Sequence, residues 1–216
     1  IQIEGGFTKE EILQLLEDPF GDASRLQWAT DLPDEVFEGA PLLVSMRQFL
    51  RVLAEAEPWK LTQTGNLSRA MLTRLTEAGA LGETWWREDR PARNEVDLPR
   101  ATLLRGMAEL AGLTRKAKGK LHLTRRGREV ADGKMRSDEL YRLLMARYVT
   151  KFNWSFEDPM PASSWLQAGF WYVVYLLQQY GSEKRPSTFY AERYAMAFPW
   201  LQEEFAGYRY ATPQEL

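Results

Sequence analysis

The sequence predicts a mainly α chain carrying one small β-hairpin. Three observations predict it. Apolar residues recur at three- and four-residue spacing through most of the chain, and glycine and proline end these runs at helix-length intervals. One stretch, residues 113–124, instead reads as two extended runs around a short glycine-containing turn. With 216 residues, the chain is long enough for one large domain or two small ones and for burial of about 70 % of its unfolded surface.

The elements follow in order. Thr8 and Glu11 have capping-box spacing, and Ile12, Leu13, Leu15 and Leu16 give a short amphipathic helix that stops before Pro19. A loop rich in Asp and Gly leads to a helical turn near residues 33–37. Pro41 suits a first helical position, and Leu42, Met46, Phe49, Leu50 and Leu53 keep helical spacing up to Glu57-Pro58. Trp59-Lys60-Leu61-Thr62 is extended in character and runs into the turn Gln63-Thr64-Gly65. Asn66 is placed to cap a helix burying Leu67, Met71, Leu75 and Ala78, with Gly79 as its stop. Residues 83–95 are polar apart from Trp85 and Trp86 and read as a loop. Asp97 can cap a helix burying Leu103, Met107 and Leu110 and ending at Gly112.

Leu113-Thr114-Arg115-Lys116 and Lys120-Leu121-His122-Leu123-Thr124 then flank Ala117-Lys118-Gly119, where glycine offers a positive φ. Thr124 caps a short helix through Val130. Leu61-Thr62-x-x-Gly65 and Leu123-Thr124-x-x-Gly127 share a spacing, explained equally by chance or by similar strand-to-helix corners. From Ser137, Leu140, Leu144, Tyr148 and Phe152 repeat every four residues. Two further helices are expected, from about Ser164 to Tyr180 and from about Ser187 to the break at Pro199. Residues 148–216 hold 18 of the 27 aromatic residues, which marks an aromatic-packed helical part.

Helix 41–56, strand 59–62, helix 67–78, helix 97–111 and hairpin 113–124 come in the order of a winged helix-turn-helix, and the chain resembles that superfamily. The run Gly119-Lys120-Leu121-His122-Leu123-Thr124-Arg125-Arg126-Gly127 resembles the end of the wing in many bacterial regulators, where a strand closes on Leu-Thr-x-x-Gly and starts a helix. The stretch 59–75, headed by Lys60-Leu61-Thr62-Gln63-Thr64-Gly65-Asn66-Leu67, is similar to a domain of uncharacterised bacterial proteins found alongside plasmid ORF-3-like domains. That resemblance covers residues 40–132 or so; it implies a fold and a bacterial setting and brings no activity with it. The expected architecture is a winged-helix-like module plus a C-terminal helical part: a helical lead-in at 1–40, the module at 41–132 and an aromatic-rich helical part at 133–216. One departure stands out, the long insertion between Gly79 and Asp97. It is either an inserted hairpin or a sign that the helices are offset by one. On the second view helix 67–78, not helix 97–111, is the recognition helix.

Charge supplies the functional candidate. The formal net charge of −2 divides into −8 over residues 1–57 (4 basic, 12 acidic), +9 over 58–152 (20 and 11) and −3 over 153–216 (4 and 7). Arg115, Lys116, Lys118, Lys120, Arg125, Arg126 and Arg128 put seven cations into fourteen residues with no acidic one. Such a cluster attracts phosphates without needing sequence information. Arg100 and Arg105, expected on the exposed face of helix 97–111, would reach base edges. The nucleic-acid-binding set is therefore Arg100, Arg105, Arg115, Lys116, Lys118, Lys120, Arg125 and Arg126, and the partner double-stranded DNA. Against this stands a protein-interaction domain, in which the wing or the aromatic helices bind a protein partner, or in which Asp31, Asp34 and Glu38 neutralise the wing.

Other chemistries have little to work with. The chain has no cysteine and one histidine, His122, which strand alternation turns away from whatever Leu121 and Leu123 bury. The adjacent carboxylates Asp34-Glu35, Glu88-Asp89 and Glu203-Glu204 do not face each other on a helix or strand. The aromatics Phe170, Trp171, Tyr172, Tyr175, Phe189, Tyr190 and Tyr194 could stack bases, yet at helical spacing they read as core. The expectation is a non-enzymatic protein without cofactor or metal. No apolar run reaches the roughly 20 residues of a membrane span, and the opening residues do not read as a secretory signal; a cytoplasmic location, consistent with the absence of cysteine, is the expectation.

Overall fold

A computed structural model describes residues 8–22, 24–29, 32–55, 57–82, 94–156, 166–167 and 169–201. Trp85, Trp86, Asp31, Ser164 and the pairs Glu88-Asp89 and Glu203-Glu204 lie outside the described residues. The chain divides into two compact units, Asp31–Pro159 and the pair of segments Ile1–Thr30 and Met160–Leu216.

Asp31–Pro159 holds the hairpin. After a short helix α2 (Glu35–Glu38) come α3 (Pro41–Glu55), β1 (Trp59–Lys60) and α4 (Arg69–Glu77). A 3-10 turn (Glu95–Asp97), α5 (Pro99–Leu110), β2 (Thr114–Ala117) and β3 (Lys120–Leu123) follow, then α6 (Arg125–Ala131) and α7 (Ser137–Thr150). The three strands form an antiparallel sheet in the order β1-β3-β2. The unit is thus mainly helical with a small wing, in winged-helix-like order.

Its core is built on α3. Met46, Phe49, Leu50 and Leu53 are fully buried along one stripe of that helix, against α4, α5, α6 and α7. Met71 and Leu75 come in from α4, Leu104 and Met107 from α5, Leu121 from β3, and Leu140 and Leu144 from α7. The four-residue repeat read in α7 is therefore a core stripe.

Two helix starts differ from the expected ones. Asn66 does not cap α4; its backbone N–H and C=O are engaged with Thr62, the C=O accepting from the Thr62 N–H at 2.9 Å. The cap is Ser68, whose Oγ accepts from the Met71 N–H. Asp97 turns back to accept the Asn94 N–H at 3.0 Å, and α5 starts on Pro99, which fits a first helical position because it has no N–H to satisfy. Leu110, expected inside, is 39 % exposed. The buried arc of α5 is centred on Ala101, Leu104 and Ala108, and Leu110 falls past its edge. The stops are as read, with Gly79 and Gly112 both at positive φ, 70° and 68°.

The hairpin closes through Lys118 and Gly119, at φ 49° and 69°, a two-residue turn whose twist matches the flanking strands. The shared Leu-Thr-x-x-Gly spacing hides two different corners. At Thr62 the glycine makes a turn: Gly65, at φ 80°, donates its N–H to the Thr62 carbonyl at 3.0 Å. At Thr124 the glycine is buried inside α6. There Thr124 Oγ1 accepts the Gly127 N–H at 3.0 Å and lies 2.7 Å from the Gly112 carbonyl oxygen. A Cβ on Gly127 would stand 1.9 Å from the Leu113 carbonyl oxygen. Thr124→Ala is expected to lower stability by about 1 kcal/mol, the usual worth of an N-cap. A denaturant midpoint equal to that of the parent would show that Thr124 does not hold this corner.

The other unit contains α1 (Lys9–Glu17), α8 (Phe170–Tyr180) and α9 (Ser187–Ala197). The capping box of α1 forms as read, Glu11 N–H to Thr8 Oγ1 at 3.1 Å and Thr8 N–H to Glu11 Oε2 at 2.8 Å. The Thr8 amide and Arg25 hold the Glu11 carboxyl below its ordinary range. Trp171, Tyr172 and Tyr175 are buried in α8, and Tyr172 meets Phe198 edge-on at 5.5 Å. These aromatics are core. Tyr194 fills space that only a glycine leaves, since a Cβ on Gly169 would meet its hydroxyl at 1.9 Å. Burial raises the Tyr194 phenol well above its usual range.

Candidate functional site

Strand register decides which cations share a surface. Trp59 and Lys116 both pair with Leu121, and Thr114 pairs with Leu123, so these residues share the inner face of the sheet. On the outer face Lys60 stands opposite Lys120, and Arg115 opposite His122. Leu121 and Leu123 are buried, while Lys60, Arg115 and Lys120 are exposed. His122 lies on the outer face beside them, as alternation required. Lys118 occupies the exposed tip of the turn, and Arg126 is exposed on the first turn of α6.

The sequence-predicted cations separate into two groups. Lys116 lies 3.3 Å from Glu109, Arg125 is 3.2 Å from Glu129, and Arg128 is bonded to Glu57. Glu57 also accepts the Leu123 N–H at 2.8 Å, which ties the base of the wing to the end of α3. Arg115, Lys118, Lys120 and Arg126 have no acidic partner among the described residues. Lys60 joins them. It is not in the predicted set, although alternation in Trp59-Lys60-Leu61 is a sequence signal that turns it outward. Asp34 and Glu38 make no ion pair with the wing.

Arg100 and Arg105 are not on an exposed face, contrary to expectation. α5 is enclosed by α3, α7, β2 and the 95–97 turn, and both arginines point into these neighbours. Arg100 is half-buried and reaches Ser45 Oγ at 3.3 Å. The Arg105 side chain is 12 % exposed, and its Nε lies 2.6 Å from Oε1 of Glu95, which is 1 % exposed. Glu95 Oε2 accepts the Leu67 N–H at 2.5 Å, and Arg105 Nη1 is 3.0 Å from Glu109. A relay of charge therefore runs from the loop before α4 through Glu95, Arg105 and Glu109 to Lys116, and each member neutralises the next. A shallow depression lined by Thr102, Arg105, Gly106, Glu109, Leu110 and Phe152 offers only this satisfied pair among apolar surface.

The open group carries positive charge that no neighbouring carboxylate offsets among the described residues. Like charges directly opposite each other destabilise a ladder, and Lys60 and Lys120 are such a pair. The first turn of α6 carries Arg125 and Arg126 and no acidic residue, the unfavourable sign for a helix N-terminus. Among the described residues no group of three or more metal-ligating side chains converges, and no helix is long and apolar enough to cross a membrane.

Residues 38–137 match the family model of the Y4jL N-terminal domain, a bacterial domain of uncharacterised function. The match lies within Asp31–Pro159 and takes in every element from α3 to α6. No curated protein and no solved structure matches the chain.

Proposed function

We propose that the chain is a non-catalytic, double-stranded-DNA-binding module of winged-helix, bacterial regulatory type acting in the cytoplasm, its wing laid against the phosphate backbone. The observation that carries this reading is the set Lys60, Arg115, Lys118, Lys120 and Arg126: five exposed cations around one short hairpin, unpaired among the described residues. Phosphate contacts of this kind position a protein without reading sequence.

The test is fluorescence anisotropy of the intact chain with a random-sequence duplex at two salt concentrations. Binding should weaken steeply with salt. Replacing Arg115, Lys118 and Lys120 by alanine together should flatten the dependence of log K on log salt by about 3, from roughly 0.9 per phosphate contact. Lys116→Ala, by contrast, should change affinity little, because Lys116 already serves Glu109. An unaltered slope in the triple variant would remove the wing from the interface. Absence of binding at low salt would favour the second reading, a protein-interaction domain, whose physical support is the exposed apolar Val36 and Val44, 56 % and 48 % accessible.

A further inference from the structure

In a winged helix the third helix is the one expected in the groove, and here that helix is α5. Among its residues Leu110 alone is exposed, and its arginines are spent on Ser45, Glu95 and Glu109. A helix sunk among four neighbours cannot enter a groove.

α4 is different. Met71, Leu72 and Leu75 are buried on one side, and Arg69, Ala70, Thr73, Arg74, Thr76 and Glu77 are all exposed on the other. Two links tie it to the wing. The Leu61 N–H donates to the Gly119 carbonyl at 2.9 Å, which sets the tip of the hairpin against the 62–66 turn that leads into α4. The Arg74 guanidinium lies 5.3 Å from the Trp59 ring centroid, and the next residue, Lys60, faces Lys120 across the sheet. The free cations and the open side of α4 are therefore neighbours in the fold. Arg69 lies at the head of the helix and has no acidic partner among the described residues. Ala70 and Thr73 beside it are short enough to let the backbone come close.

Resting on the DNA-binding reading, we infer that α4, not α5, is the groove-reading helix, with Arg69 and Thr73 as its specificity-determining residues. A helix about 10–12 Å across with its side chains fits a major groove about 12 Å wide. Arginine there pairs with guanine O6 and N7, and a threonine methyl meets the thymine methyl.

The experiment is selection of the intact chain on a randomised duplex library, with anisotropy on random duplex run alongside. The parent chain should enrich one motif. Arg69→Ala with Thr73→Ala should lower the preference for the motif over random duplex, measured as the ratio of the two affinities, roughly tenfold, the scale of one good base contact. Arg69→Gln should displace the preferred base at a single position, which tests the helix even if the double variant folds poorly. A motif unchanged in these variants overturns the assignment. So does a parent chain that binds duplex with steep salt dependence yet enriches nothing, and in that case the wing reading stands. Failure to bind any duplex at low salt overturns both.

Discussion

Gly127→Ala should lower the stability of the Asp31–Pro159 unit by about 3 kcal/mol, the upper end of the usual cost of overpacking. The added methyl would sit 1.9 Å from the Leu113 carbonyl oxygen, and that atom belongs to backbone already engaged with the Thr124 N–H at 2.9 Å. Neither partner can step aside cheaply. Moving Leu113, which is fully buried, opens the wing, and moving α6 strips its packing from α3. Gly65→Ala is the control. A Cβ at Gly65 meets nothing within 4 Å, so only the positive φ is penalised, at about 1 kcal/mol. Urea unfolding of both variants decides the matter. Equal losses at the two positions would mean that the close approach of α6 to Leu113 does not govern the corner.

The second large effect is expected at Arg105. Its removal leaves the Glu95 carboxylate, 1 % exposed, with the Leu67 N–H as its remaining listener. Truncating one partner of a buried pair costs about 3–5 kcal/mol because the other charge stays behind unpaired. Arg105→Ala should therefore shift the denaturation midpoint strongly, and added salt should not restore it, since a buried pair is poorly screened. Arg125→Ala, which breaks an i,i+4 pair at a side chain 94 % exposed, should change stability by less than about 1 kcal/mol. Recovery of most of the loss in the double variant Glu95→Leu/Arg105→Met would confirm that the stranded charge carries the cost. A small loss in Arg105→Ala alone would mean that Glu95 finds solvent or another donor.

What the sequence made legible was local. Hairpin, caps and stops are written within a few residues of where they act: Lys118-Gly119 for the turn, Thr124 with Gly127 for the corner, and Gly79 and Gly112 for the helix ends. Apolar spacing likewise found the stripes of α3 and α7. Two errors were local, since Asn66 and Asp97 are engaged by Thr62 and Asn94 and leave the helix starts to Ser68 and Pro99; the others arose where a distant element chose the face. Nothing near Arg105 says that α7 and the 95–97 turn will close over α5. Its partner Glu95 sits in a stretch that reads as polar loop, and the carboxylate also reaches back 28 residues to Leu67. The Arg105–Glu109 spacing of four was nevertheless a readable pairing signal, and it argued against a free arginine. The basic cluster was visible as a whole. Within the hairpin its division into tied and free members follows strand register, which puts Lys116 on the inner face toward Glu109 and Lys120 on the outer face; on α6 it follows the reach of Arg125 to Glu129 and of Arg128 to Glu57.

The sheet has one more consequence. Three strands of two and four residues leave β1 and β2 as open edges, each a template on which another chain could add a strand. Lys60 on one edge and Arg115 with Lys116 on the other place charge where such a strand would have to lie, which is how short sheets are kept from joining edge to edge. The cations that would meet phosphate thus also serve as fences, and a chain stripped of them would be more prone to stick to its own copies.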